Sequence, residues 1–180
     1  MKLASLKHKR DGRLIIVNQN LQNYVLADDI AETMQQALDN WNEIAPDLYA
    51  RYENLENGQC PDTKPFDPTQ CASPLPRAYQ IADGSAYLHH VELVRKARGA
   101  EMPPEFRNDP LMYQACSDII LAPNDPITMP DESWGIDFEA EIAVVVDDVP
   151  MGVSPDEADK HIKLVMLMND VSLRNLIPDE

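Results

Sequence analysis

Two glutamates separated by one residue, Glu139 and Glu141, are the strongest chemical signal in this 180-residue chain. They lie in an apolar run typical of a β-strand, in which alternate side chains share a face. Both carboxylates therefore point one way, and Phe138, Ala140 and Ile142 are expected to point the other way, into a core. Carboxylates held that close repel each other unless a cation lies between them, and hard divalent cations prefer such oxygens. From spacing alone, an exposed strand face that carries two glutamates is the more ordinary interpretation.

Two further polar segments could contribute to such a site. Asp170 comes after the apolar run 162–168, where a carboxylate could reach a site built by neighbouring strands, although Asn169-Asp170 taken alone is better explained as a turn. His89 and His90 are adjacent, so a single strand or helix could direct at most one of them into a site. A lone histidine is more often a structural or surface residue than a base.

The order of these segments resembles the fumarylacetoacetate hydrolase family. Asp83 precedes His90 by seven residues, the Glu139-x-Glu141 pair comes next, and the segment 169–174 reads Asn-Asp-Val-Ser-Leu-Arg. Segments 73–99 and 110–114 are similar to bacterial members. The resemblance runs from about residue 70 to the end of the chain, and more loosely over the residues before it.

The resemblance implies one bound Mg²⁺ or Ca²⁺ ion held by four carboxylates. The implied ligands are Asp83, Glu139, Glu141 and Asp170. The implied general base is His90, which leaves His89 as a bystander. The implied substrate contacts are Arg98 and Tyr113, whereas Arg174 is interpreted as a structural partner of nearby carboxylates or carbonyls.

The implied activity is hydrolysis of a carbon–carbon bond in a 1,3-dicarbonyl acid, such as an acylpyruvate, in the catabolism of aromatic compounds. The cation would stabilise the enolate form of the substrate, and His90 would activate water. A hydratase, isomerase or decarboxylase of 2-oxo acids is the alternative with the same fold and metal. The full-length protein is expected to be a homodimer.

The surrounding sequence predicts an α+β protein, mostly β, in which a small N-terminal α/β module precedes an incomplete β-roll of the family's type. The apolar runs 3–6, 14–17 and 24–26 predict a β-meander. An amphipathic helix follows from Ile30, with Asp28 and Asp29 as candidate caps, until Pro46 interrupts it and a second helix begins. The proline-rich segment 57–77 predicts a linker. The predicted domains are 1–70, with that linker, and 71–180.

Composition excludes several classes of protein. The net charge of −16 disfavours binding to nucleic acids and to anionic membranes. Three cysteines without CxxC spacing argue against a disulfide framework or a zinc site. Neither a signal peptide nor a membrane-spanning run is recognisable, so a cytoplasmic location is expected.

The matched segment stops at residues 178–180, before the positions at which the family carries an active-site lysine, a substrate loop and the carboxylate that orients its histidine. We therefore expect a truncated family member with little or no hydrolase activity of its own. The alternative to an enzyme is an inactive fragment that folds poorly or pairs with a homologous chain.

Overall fold

The computed structural model describes residues 1–109 and 111–177, so Pro110 and the segment 178–180 lie outside the described residues. Over that part of the chain there are ten strands and four α-helices, joined by loops and short 3₁₀ turns. The strands are β1 (Lys2–Leu6), β2 (Arg13–Val17), β3 (Asn23–Leu26), β4 (Lys64–Pro65), β5 (Ile81–Gly84), β6 (Met112–Ala115), β7 (Ile136–Asp137), β8 (Ala140–Val146), β9 (Ile162–Asn169) and β10 (Ser172–Leu173). The α-helices are α1 (Met34–Asp39), α2 (Trp41–Glu56), α3 (Leu88–Ala97) and α4 (Pro155–Ala158). The predicted α+β class is confirmed, with strands outnumbering α-helices.

The chain forms two compact units. The larger unit contains residues 1–76 and 121–177, and the smaller unit contains residues 77–120 apart from Pro110. Among the described residues, no helix is both long enough and apolar enough to cross a bilayer.

The larger unit begins with the predicted meander, in which β1, β2, β3 and β4 pair antiparallel in that order. Gly12 closes the turn between β1 and β2 with a φ of +74°, and a Cβ at this position would lie 2.8 Å from the Cβ of Ser5. Glycine is therefore required by both backbone conformation and space. One face of the sheet packs against α1 and α2 to form the core. Its buried side chains are Leu14, Ile16, Val25, Ala27, Ala31, Met34, Ala37, Leu38, Leu48 and Leu55.

The predicted helical region exists, but its start and its break were placed wrongly. The cap of α1 is Thr33, whose Oγ1 accepts a hydrogen bond from the Gln36 amide at 3.1 Å. Asp29 instead accepts two hydrogen bonds from Arg51. The break between α1 and α2 lies at Asn40, and Pro46 is inside α2. A proline near the start of a helix removes only one backbone hydrogen bond, which the long α2 tolerates.

The proline-rich segment after α2 is bound along the N-terminal sheet over much of its length. β4 pairs with β3, and Cys71 forms an isolated bridge with Leu6. The Lys7 amide donates to the Gln70 carbonyl at 2.8 Å, and the Ala72 amide donates to the Ser5 carbonyl at 2.9 Å. Prolines are tolerated here because an edge segment needs few amide donors.

β8 and β9 form an antiparallel hairpin in the larger unit, with Ile142 opposite Leu167 and Val144 opposite Val165. These four side chains share one face, and that face is exposed: Ile142 is 74% exposed and Leu167 is 83% exposed. Phe138 and Ala140 are exposed as well, so the expectation that Phe138, Ala140 and Ile142 enter a core was wrong. The opposite face is the one that packs, because it carries Val145 and Leu164 against the N-terminal core.

The end of the hairpin nearest its connection is held by polar contacts on Asp147. The His161 Nδ1 lies 2.6 Å from one carboxylate oxygen of Asp147, and the Lys163 Nζ lies 2.8 Å from the other. The hydrogen bonds from Lys163 and then His161 hold the pKa of Asp147 below its ordinary value. The short helix α4 lies in the connection between the strands, with Ser154 as its N-cap.

Candidate metal and active site

Glu141 and Asp170 bring two carboxylates together at the other end of the β8–β9 hairpin. Glu141 is the second residue of β8 and lies opposite Met168, while Asp170 follows the last residue of β9. The Asp170 amide donates to the Glu139 carbonyl at 3.0 Å and so continues the pairing past the end of β9. A carboxylate oxygen of Glu141 and one of Asp170 lie within 4.8 Å of each other, and both residues are half-buried.

This separation fits a divalent cation. Ligand distances of about 2.0–2.6 Å place two oxygens of one coordination sphere up to roughly 5 Å apart. Two partly buried carboxylates at that distance repel each other when both are ionised, and a shared cation removes the repulsion. The hard oxygen donors suit Mg²⁺ or Ca²⁺ rather than a soft metal.

Glu139 is held by Arg174. The guanidinium of Arg174 donates to the Glu139 carboxylate and, from its Nε, to the Asp137 carboxylate at 2.9 Å. Burial by itself would lower the pKa of Arg174, but the hydrogen bond to Asp137 and the nearby charge of Glu139 raise it overall above its ordinary value. Arg174 is therefore a permanent cation beside the acidic site.

The backbone around Arg174 is fixed by a pairing of two short strands. β7 pairs with β10, which places Ser172 opposite Asp137. The Arg174 amide donates to the Gly135 carbonyl at 3.0 Å. Gly135 has a φ of +70°, and a Cβ added there would lie 2.9 Å from the side-chain amide of Asn175. This close approach lets Asn175 donate to the Ser133 carbonyl at 2.8 Å.

The remaining predicted residues lie in the smaller unit. Asp83 on β5 is directly opposite Tyr113 on β6, so the predicted ligand and the predicted substrate contact occupy one face of this strand pair. Arg98 is the C-cap of α3 and is exposed. The roles of Asp83, Tyr113 and Arg98 stay predictions.

The two histidines differ in their surroundings on α3. The side chain of His89 is 72% exposed and lies 4.0 Å from Glu92, one turn along the helix. His90 is half-buried and points elsewhere, because successive helical side chains are about 100° apart around the axis. The base role of His90 stays a prediction, and this contrast is compatible with it.

Comparison with known proteins identifies the family. Residues 1–77 match the family model described as fumarylacetoacetase N-terminal domain 2, and residues 80–180 match the model described as fumarylacetoacetate hydrolase C-terminal. The chain belongs to the fumarylacetoacetate hydrolase family. The resemblance found from the sequence motifs is confirmed.

Relatives within the fumarylacetoacetate hydrolase family are named for different activities. The chain is 31% identical over 67 residues to the mitochondrial oxaloacetate tautomerase of Xenopus laevis, which covers 37% of this chain and 21% of that protein. It is 26% identical over 137 residues to the fumarylacetoacetate hydrolase domain-containing protein 2 homolog of Dictyostelium discoideum, covering 76% and 40%. It is 35% identical over 66 residues to the 2,4-didehydro-3-deoxy-L-rhamnonate hydrolase of Sphingomonas sp. (strain SKA58), covering 37% and 23%. The matches thus span less than half of each relative.

Two polar residues of the site were missed by sequence reasoning. Asn169 accepts a hydrogen bond from the Glu139 amide on its side-chain oxygen at 3.2 Å, so it supports a predicted ligand. Asp137 shares Arg174 with Glu139. The available signals were the position of Asn169 beside Asp170 and the placement of Asp137 two residues before Glu139, on the same side of an extended chain.

Proposed function

We propose that this chain provides the cation-binding part of a hydrolase that cleaves a carbon–carbon bond in a 1,3-dicarbonyl acid, with an acylpyruvate as the model substrate. The observation that carries the proposal is the close approach of the Glu141 and Asp170 carboxylates in a chain of this family. Glu139 and Asp83 complete the proposed ligand set of four.

The cation would supply positive charge for the negative charge that develops on substrate oxygens during the reaction. A carboxylate that binds a cation is a poor proton acceptor, so none of the proposed ligands is expected to act as the general base. The proton must therefore be moved by another group, and His90 is the proposed one.

The proposed reaction begins when His90 accepts a proton from water. The resulting hydroxide adds to the acyl carbonyl carbon, and the bond between that carbon and the neighbouring CH₂ carbon breaks. The electron pair of the broken bond passes onto the CH₂ carbon, which then takes up the proton that His90 accepted from water. An acylpyruvate and water thus give a carboxylic acid and pyruvate, while Arg98 and Tyr113 are proposed to hold the substrate's carboxylate and carbonyl.

A tautomerase is the second candidate, favoured by the match to the Xenopus laevis oxaloacetate tautomerase. Interconversion of keto and enol forms needs a group that moves a proton between carbon and oxygen, but no attacking water. The same carboxylates and the same histidine could serve it.

Calorimetric titration of the chain with Mg²⁺ and with Ca²⁺ tests the site. We expect one ion per chain, with binding strongly weakened in Glu141→Gln and Asp170→Asn. Glu157→Gln is the control, because Glu157 is an exposed carboxylate that pairs with Lys160 away from the site. Failure of the unaltered chain to bind either ion would refute the proposed site.

Product analysis then separates the two reactions. Equal amounts of acetate and pyruvate formed from acetylpyruvate identify a hydrolase. Faster keto–enol interconversion of oxaloacetate, without cleavage of acetylpyruvate, identifies a tautomerase. A chain that binds the cation but catalyses neither reaction supports the inactive-fragment alternative, and sedimentation analysis of the same samples tests the proposed homodimer.

A further inference from the structure

We infer that Arg174 is a positioning residue, which fixes the carboxylate of Glu139 for use by the cation site and so sets the affinity of that site. This inference rests on the proposed function, because it concerns how the proposed ligands are held. It gives Arg174 no contact with the reacting atoms.

The contacts of Glu139 divide between its backbone and its side chain. Its amide donates to Asn169 at 3.2 Å, and its carbonyl accepts from the Asp170 amide at 3.0 Å. These bonds fix the backbone of Glu139 beside Asp170, but they do not fix the torsion angles of its side chain. Arg174 contacts the carboxylate itself, and the Glu139 side chain is only 12% exposed.

The guanidinium is well suited to this task because it contacts two carboxylates at once. Asp137 on β7 accepts from its Nε while Glu139 accepts from a terminal nitrogen. The planar fork of arginine has a fixed geometry, so anchoring one side by Asp137 orients the other side toward Glu139. A lysine in this place would be a single point charge without that fork.

Electrostatics alone predicts the opposite effect of Arg174 on cation binding. Its positive charge repels a cation, so its removal would strengthen binding. The four carboxylates of Asp137, Glu139, Glu141 and Asp170 outnumber the single guanidinium, and three negative charges remain after it is counted. Attraction for a cation thus persists, and the geometric effect of holding a ligand in place is expected to dominate. Outer groups that orient metal ligands typically change metal affinity by about 10–100-fold.

Titration of the 180-residue chain with Mg²⁺ and Ca²⁺ tests the inference. We expect Arg174→Gln to weaken binding by about 10–100-fold, and Arg174→Lys to weaken it by a smaller factor. Arg51→Gln is the matched control, because Arg51 also makes a two-pronged contact with a carboxylate, that of Asp29, in the same unit. The control should leave affinity unchanged.

A double variant shows whether Arg174 acts through Glu139. In a Glu139→Gln chain, adding Arg174→Gln should change cation affinity no further. If the second substitution weakens binding as much as it does in the unaltered chain, Arg174 acts by another route and the inference is wrong. Circular dichroism and melting curves of every variant show whether it is folded, and Arg174→Lys keeps the test open if Arg174→Gln is not.

The other outcomes are distinguishable. Unchanged or stronger binding by a folded Arg174→Gln chain overturns the inference but leaves the proposed cation site standing. Absence of cation binding by the unaltered chain overturns both.

Discussion

The orientation of the β8–β9 hairpin leads to a quantitative prediction for two leucines on the same strand. Leu164 packs against the N-terminal core, whereas Leu167 is 83% exposed. Full burial of a leucine side chain is worth about 1.5–3 kcal/mol, so the buried sixth of Leu167 contributes at most roughly 0.5 kcal/mol. Truncation of a core leucine costs about 2–5 kcal/mol, and partial burial places Leu164 near the lower end.

Leu164→Ala should therefore lower the free energy of unfolding by about 2 kcal/mol, and Leu167→Ala by less than about 0.5 kcal/mol. Both changes replace leucine by alanine in one strand, so the loss in β-propensity largely cancels from the difference of roughly 1.5 kcal/mol. Urea denaturation followed by tryptophan fluorescence measures it, because Trp41 and Trp134 both lie in the larger unit.

The companion pair on β8 provides the control. Val145→Ala should destabilise the larger unit more than Ile142→Ala does, because Val145 packs against the core and Ile142 is exposed. Equal losses for Leu164→Ala and Leu167→Ala, or a larger loss for Leu167→Ala, would show that the hairpin presents its other face to the core. The position of Glu141 on the packed side of β8 would then be wrong as well.

Three further experiments, each measured by the melting midpoint, have distinct expected outcomes. The lowered pKa of Asp147 means that its contacts stabilise the folded chain above the ordinary carboxyl value of 3.8 and are lost as the pH falls through the lower folded value. Asp147→Asn should therefore flatten the fall of the melting midpoint between about pH 5 and pH 3, and an equally steep fall would contradict the assignment. Gly135→Ala should lower the melting midpoint, because alanine is strained at a φ of +70° and meets Asn175, whereas Gly58→Ala, also at positive φ but with open space, should cost less. Millimolar Mg²⁺ or Ca²⁺ should raise the melting midpoint of the unaltered chain, because an ion that binds only the folded state stabilises it. The melting midpoint of Asp170→Asn should not rise. Equal shifts in both chains would argue against Asp170 as a ligand.

The N-terminal part of the fold followed closely from local sequence signals. The strands β1, β2 and β3 were predictable because short apolar runs are bounded by Asp11-Gly12 and by Asn and Gln residues. The helix boundaries were not, because Pro46 is the stronger breaker by composition but lies where a helix tolerates it. The helix breaks at Asn40 instead, and the position of this break depends on how α1 and α2 pack on one face of the sheet.

The site was predictable to the extent that it depends on strand alternation. Glu141 and Asp170 come together as the spacing and the family resemblance indicated. The predicted burial of Phe138 and Ile142 was wrong, because alternation defines the two faces of a strand but does not show which face packs against the core. The contact of Arg174 with Glu139 joins residues 35 apart in the chain, and only the pairing of β7 with β10 brings them together.

The hairpin is fastened by polar contacts at both ends of its ladder. At one end His161 and Lys163 bind Asp147, and at the other Asn169 and Asp170 bind the backbone of Glu139. Strand pairs normally fray inward from an unfastened end, so their terminal amides exchange with solvent deuterium faster than central ones. We therefore expect the amides that bond across β8 and β9 to exchange at similar rates at the ends and in the middle of the ladder, because both ends are held. Opening of the ladder from the end at Asp170 should then release Glu141 and Asp170 together.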